Sequence, residues 1–141
     1  YKRQDELREI GRLGISHKVV QREFASSELP NLYSNATALL YPTKYEGFGL
    51  PLVEAMASGV PVLASETPIN LEIAGSAASY FQPDSSSQLA HLLSEALRES
   101  LELKGKIREG IARAETFNWY RCAELTANVY RDVLCRGSRT H

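Results

Sequence analysis

The sequence predicts an α/β fold: a Rossmann-like parallel sheet of about four strands flanked by helices. Three observations lead there. Short apolar runs rich in β-branched residues alternate with segments of helical periodicity, the pattern of strand–helix–strand units. Two of those runs are continuously apolar, as strands buried on both faces require. The 141 residues, 43% hydrophobic and 23% charged, also suffice for one cored domain spanning 1–141.

The elements follow in order. Leu7, Ile10 and Leu13 recur three apart and Gly14 supplies a stop, so residues 1–13 read as a helix. A helix that opens on Tyr1 rather than Met, with no cap before it, reads as a chain cut upstream. Residues 18–22, with Val19 and Val20, predict a first strand. Ser26 or Ser27 is placed to cap a short helix through Leu29, Leu32 and Tyr33, with Pro30 tolerated in its first turn. Residues 38–41 are apolar and halted by Pro42, a second strand. Leu50 to Ser58 predicts a helix, with Pro51 at its start and Gly59 past its end. Residues 60–64 form a third strand, with Pro61 at its beginning, where no ladder donor is needed. A short helix from Pro68 to Ala74 closes at Gly75, and residues 78–81 are a last strand. Leu89, Leu92, Leu93, Ala96 and Leu97 lie on one helical stripe. A second stripe, Leu103, Ile107, Ile111 and Ala114, is weakened by Gly105 and Gly110. Asn118 caps a terminal helix over 118–135 that carries Cys122, Thr126, Val129, Tyr130 and Val133.

Charge and composition exclude several functions. Sixteen Lys and Arg against seventeen Asp and Glu leave a net charge of −1, without the basic excess that nucleic-acid binding favours. No apolar run approaches the ~18 residues of a membrane span. Cys122 and Cys135 lack metal-site or disulfide-scaffold spacing, and His17, His91 and His141 show no ligand spacing. No metal or cofactor is expected. The composition fits a reduced, soluble, cytoplasmic domain.

The informative stretch is Glu46-Gly47-Phe48-Gly49-Leu50-Pro51, running into Val53-Glu54-Ala55-Met56-Ala57-Ser58-Gly59-Val60-Pro61-Val62. It joins a buried strand to a helix, where a parallel α/β sheet opens its ligand crevice. Gly47 and Gly49 are expected to let the backbone approach a ligand and adopt positive φ. The amides of Phe48, Gly49 and Leu50 would then face outward at a helix N-terminus, a site for phosphate. Glu46 and Glu54 would repel a diphosphate, but a carboxylate accepts two hydrogen bonds from vicinal hydroxyls. The helix rises only about 6 Å between Leu50 and Glu54, so with the loop the acids lie on the order of 10 Å apart. Hydroxyls, phosphate, hydroxyls is the layout of a nucleotide-sugar.

These residues resemble the C-terminal domain of the retaining glycosyltransferases with the GT-B fold, group 1 or family 4. Glu46 and Glu54 match its E-x7-E signature. Further matches are Glu28-Leu29-Pro30-Asn31-Leu32-Tyr33, Ala38-Leu39-Leu40-Tyr41-Pro42, Glu72-Ile73-Ala74-Gly75, Phe117-Asn118-Trp119 and Tyr130. The resemblance implies transfer of a hexose from a nucleoside-diphosphate sugar to a glycan or lipid acceptor, with retained configuration and commonly without an essential metal. It implies Glu46 on the transferred hexose, Glu54 on the donor ribose, and Gly47, Phe48, Gly49 and Leu50 along the diphosphate. It places Glu72 either at the donor or capping a turn. Arg22 and Lys44 read as solvated charges rather than phosphate ligands, and Arg22 stands where the family usually has Gly.

The family's domain opens with a strand, a Lys-bearing helix and a second strand, none of which matches here. The chain therefore reads as truncated, carrying part of a donor site, and the fragment alone is expected not to catalyse transfer. Its expected partners are a nucleotide-sugar and a missing N-terminal domain or second chain. Peripheral membrane contact is expected only through the missing part. A non-catalytic partner subunit and an inactive relic are the alternatives. The 18–22 strand is expected to re-pair beside the 38–41 strand, or two chains to complete one sheet as a homo-oligomer.

Overall fold

In a computed structural model the chain is described over residues 2–98 and 100–137. The order is α1 (Lys2–Arg12), a 3-10 turn at Ser16–Lys18, α2 (Leu29–Ser34), β1 (Leu39–Tyr41), α3 (Leu50–Ala57) and β2 (Val62–Ser65). There follow α4 (Pro68–Ala74), β3 (Ala78–Phe81), α5 (Ser86–Leu97), α6 (Leu101–Ala114) and α7 (Trp119–Gly137). The three strands form one parallel sheet in the order β1-β2-β3. Leu39 pairs with Val62 and Tyr41 with Ala64, and the register continues as Val62 with Ala78 and Ser65 with Phe81.

β2 is buried along its whole length, and its alternation builds two cores. Val62 and Ala64 join Leu52, Ala55 and Met56 of α3 and Ile73 and Ala74 of α4 on one face. Leu63 turns to the other face, against Ala96 of α5 and Leu103 of α6. Covered faces on both sides explain why Val62, Leu63 and Ala64 run apolar without alternation.

Local signals set most boundaries. Thr67, Ser85 and Ser100 cap α4, α5 and α6, each accepting a hydrogen bond from the amide three residues on. Asn118 does the same for α7, with Oδ1 accepting from the Arg121 amide at 2.8 Å. Pro61 precedes β2, and its carbonyl accepts from the Leu39 amide at 2.8 Å. Asn70, fully buried, donates from Nδ2 to the Ser65 carbonyl at 2.9 Å and so ties α4 to the end of β2.

The structure corrects five expectations about these elements. The sheet has three strands among the described residues, because residues 18–22 pair with none. Val19 has extended dihedrals and Val20 is 83% exposed. β-branched residues favour an extended backbone, yet it becomes a strand only where a neighbour completes the ladder. The expected re-pairing beside β1 does not occur. Neither Ser26 nor Ser27 caps α2: its N-cap is Glu28, with no side-chain cap bond, and the Glu28 carboxylate instead accepts from the Ala25 amide at 2.9 Å.

The other two concern the helical stripes. Leu97 leaves its stripe and is 72% exposed. Gly110, expected to weaken α6, is buried where α6 crosses α3, and a Cβ there would lie 3.2 Å from Met56 Cγ. The missing side chain lets the two helices approach closely.

Candidate functional site

β1 delivers Tyr41 to the carboxyl edge of the sheet, and the chain turns through residues 42–49 into α3. Gly49 makes that turn in the left-handed region, at φ 97° and ψ 54°. A Cβ there would lie 3.2 Å from Leu52 Cδ1 and 3.5 Å from the Tyr41 hydroxyl. Gly47 does not have positive φ, contrary to expectation, and a Cβ on it meets nothing within 4 Å. Gly49→Ala is therefore expected to destabilise the fold by about 1–2 kcal/mol, the cost of the left-handed conformation for a residue with a Cβ. Gly47→Ala should leave the urea midpoint unchanged, and the two denaturation curves check the contrast.

The N–H groups of Phe48, Gly49 and Leu50 have no acceptor among the described residues. Pro51 follows in the first turn of α3, with no N–H of its own. Phe48 and Leu50 expose their side chains at the helix start.

Glu46 and Glu54 are both half-buried, and each addresses a tyrosine. The Tyr33 hydroxyl donates to Glu54 Oε2 at 3.1 Å, across 21 positions of sequence. Burial, and then this carboxylate, push the Tyr33 phenol up to about 12. Tyr33 thus remains a donor throughout the neutral range. The Tyr41 hydroxyl lies under Gly49, and its pKa is raised first by burial and then by the Glu46 carboxylate facing it. Tyr41 also acts electrostatically on Tyr33. The two acids therefore belong to one cluster, with a pair of phenols between them and the Gly49 turn above Tyr41.

Glu72 is placed differently. Its side chain is exposed on α4, and it caps no turn through its carboxylate. Instead Arg113 donates to the Glu72 and Ile73 carbonyls at the end of α4, the latter at 2.6 Å. The Arg113 guanidinium lies 5.7 Å from the centre of the Phe117 ring, which meets Phe48 edge-on at 5.7 Å. Glu72 is thereby connected to the Gly49 turn through Arg113, Phe117 and Phe48, without direct contact.

Arg22 and Lys44 are engaged elsewhere. Arg22 pairs with Glu28 at 3.3 Å and stacks over Phe24, while Lys44 pairs with Asp84. His17 and His91 are exposed, as are Cys122 and Cys135; His141 lies outside the described residues. Sequence reading missed the roles of Tyr33, Tyr41 and Arg113. A phenol inside an apolar strand run was the available signal for Tyr41, since a buried hydroxyl needs a partner.

A profile of the family described as Glycosyl transferases group 1 matches residues 2–113. The chain belongs to that family. The resemblance carried by the Glu46–Glu54 stretch therefore holds for most of the chain. O-antigen chain mannosyltransferase B of Escherichia coli is 35% identical over 104 residues, 74% of this chain and 27% of its own length. The Anabaena protein HepE, solved in complex with UDP, superposes with a TM-score of 0.80 at 23% identity, over 94% of this chain and 38% of that one. The C-terminal domain of LpcC, a group 1 family protein of Francisella tularensis, superposes with a TM-score of 0.67 at 24% identity, over 81% of this chain and 60% of that one. Both likenesses show the fold, that of a GT-B C-terminal domain. This group 1 domain spans little more than a quarter of the mannosyltransferase's length.

Its final helix carries a run of exposed apolar side chains. Trp119, Tyr120, Leu125, Val129 and Tyr130 of α7 are each more than half exposed. No helix among the described residues is long and apolar enough to cross a membrane.

Proposed function

We infer that this group 1 domain is the donor-binding part of a retaining glycosyltransferase, one that moves a hexose from a nucleoside-diphosphate sugar to a glycan or lipid acceptor. One observation carries the reading: Glu46 and Glu54 share a tyrosine cluster at a glycine turn whose amides have no acceptor among the described residues. Glu54 accepts from the ribose hydroxyls and Glu46 from the hexose. The amides of Phe48, Gly49 and Leu50 face the diphosphate, where oriented dipoles stabilise the charge that grows as the sugar departs. Glu72 stands at the margin of this site. No metal or cofactor is assigned a role.

Arg22 and Lys44 pair with Glu28 and Asp84, and further positive charge for the leaving diphosphate comes from another part of the enzyme. An acceptor-binding domain or second chain supplies that part, and these residues alone do not complete transfer. The exposed apolar side chains of α7 are suited to contact with it. Two exposed thiols, Cys122 and Cys135, fit a reducing cytoplasm.

Calorimetric titration with UDP, GDP and ADP tests the reading. Saturable binding of at least one is expected. A folded chain that releases no heat with any of the three overturns it.

A further inference from the structure

We propose that Tyr33 is a positioning residue that presets the Glu54 carboxylate for ribose and thereby sets the preference for ribonucleotide over deoxyribonucleotide donors. This rests on the ribose role given to Glu54 above. The Tyr33 hydroxyl donates to Glu54 Oε2 at 3.1 Å, and Oε1 has no partner among the described residues. A carboxylate has about four lone-pair sites, so one donor on Oε2 leaves room for two ligand hydroxyls. Without that donor Glu54 has several rotors to freeze on binding, an entropic cost that a preset side chain avoids.

Tyr33 is itself well held. Its ring packs against the core that contains Leu52 and Ala55. Its carbonyl ends α2, accepting from the Asn35 amide and from the Ala36 amide at 2.8 Å. The short helix α2, otherwise exposed and without a fully buried residue, so gains a reason for its place beside α3. Among the described residues no other side chain donates to the Glu54 carboxylate, so Tyr33 alone fixes its direction.

The experiment compares UDP with deoxy-UDP, and GDP with deoxy-GDP, on the unaltered chain and on Tyr33→Phe, which keeps the packed ring. The unaltered chain is expected to prefer the ribo form by about tenfold, the worth of a hydrogen bond to a charged group. Tyr33→Phe should erase most of that preference by weakening the ribo form more than the deoxy form, which keeps one hydroxyl for Glu54. Equal weakening of both forms, or an intact preference, overturns the role of Tyr33 and leaves the ribose reading standing. No preference in the unaltered chain overturns that reading and this role together. Circular dichroism shows whether Tyr33→Phe is folded. If it is not, carbon-labelled tyrosine in the unaltered chain decides: the Tyr33 Cζ resonance should move further with the ribo form than with the deoxy form. Movement with neither, while binding proceeds, overturns the proposal.

Discussion

Replacing Leu52 with alanine is expected to remove about 2–5 kcal/mol of stability, the range for truncating a buried leucine. In a domain whose whole stability is roughly 5–15 kcal/mol, that is a large share. Leu52 is 0% exposed and lies in the core between α3 and the sheet. It also underlies the site, since its Cδ1 is 3.2 Å from where a Cβ on Gly49 would stand. The cavity left by truncation therefore opens directly beneath the turn, where backbone held in a left-handed conformation has little freedom to collapse into it. Leu50, two residues away on the same helix, is 51% exposed and provides the control. Leu50→Ala should change stability by no more than about 0.5 kcal/mol. Urea denaturation checks the pair: the Leu52→Ala midpoint falls with the slope unchanged, and the Leu50→Ala midpoint stays. Equal midpoints would mean that the turn is not supported from this core.

Much of the fold was legible because it rests on local chemistry. Pro68 and Pro51 at the starts of their helices, and Gly59 and Gly75 after theirs, each act within a few residues, and each marks a boundary that the structure keeps. What was not legible depends on distant partners. Val19 and Val20 carry the composition of a strand, but no neighbouring strand meets them. Gly110 reads as a weak point of α6 until Met56 of α3 is placed against it. The α7 stripe has the periodicity of a core helix, yet Val129 and Val133 remain exposed. Periodicity predicts that a face wants a partner, and it is silent on whether that partner lies within the same chain.

The site divides along the same line. Glu46, Gly49 and Glu54 stand out because a turn and a helix start impose their spacing. Tyr33 and Arg113 reach the site from elsewhere in the chain, Arg113 across 40 positions to the Ile73 carbonyl. Nothing in the residues around Arg113 points to α4, and nothing around Tyr33 points to Glu54.

Separate substitution of the two acids should divide the donor into its parts. Glu54→Ala is expected to weaken the free nucleoside diphosphate and its hexose conjugate alike, by roughly tenfold to a hundredfold, the loss of one to two hydrogen bonds to a charged group. Truncation also strands the half-buried Tyr33 hydroxyl that donated to it, a cost in stability and not in affinity. Glu46→Ala should leave the free diphosphate unaffected and weaken only the conjugate, since Glu46 addresses Tyr41 rather than Tyr33 and is given the hexose. Parallel titrations of diphosphate and sugar conjugate on both variants read the four affinities. If Glu46→Ala weakens both ligands equally, the acids do not flank the diphosphate and the hexose assignment fails. If Glu54→Ala leaves the free diphosphate untouched while it still binds, the ribose lies elsewhere and the ribose role of Glu54 fails.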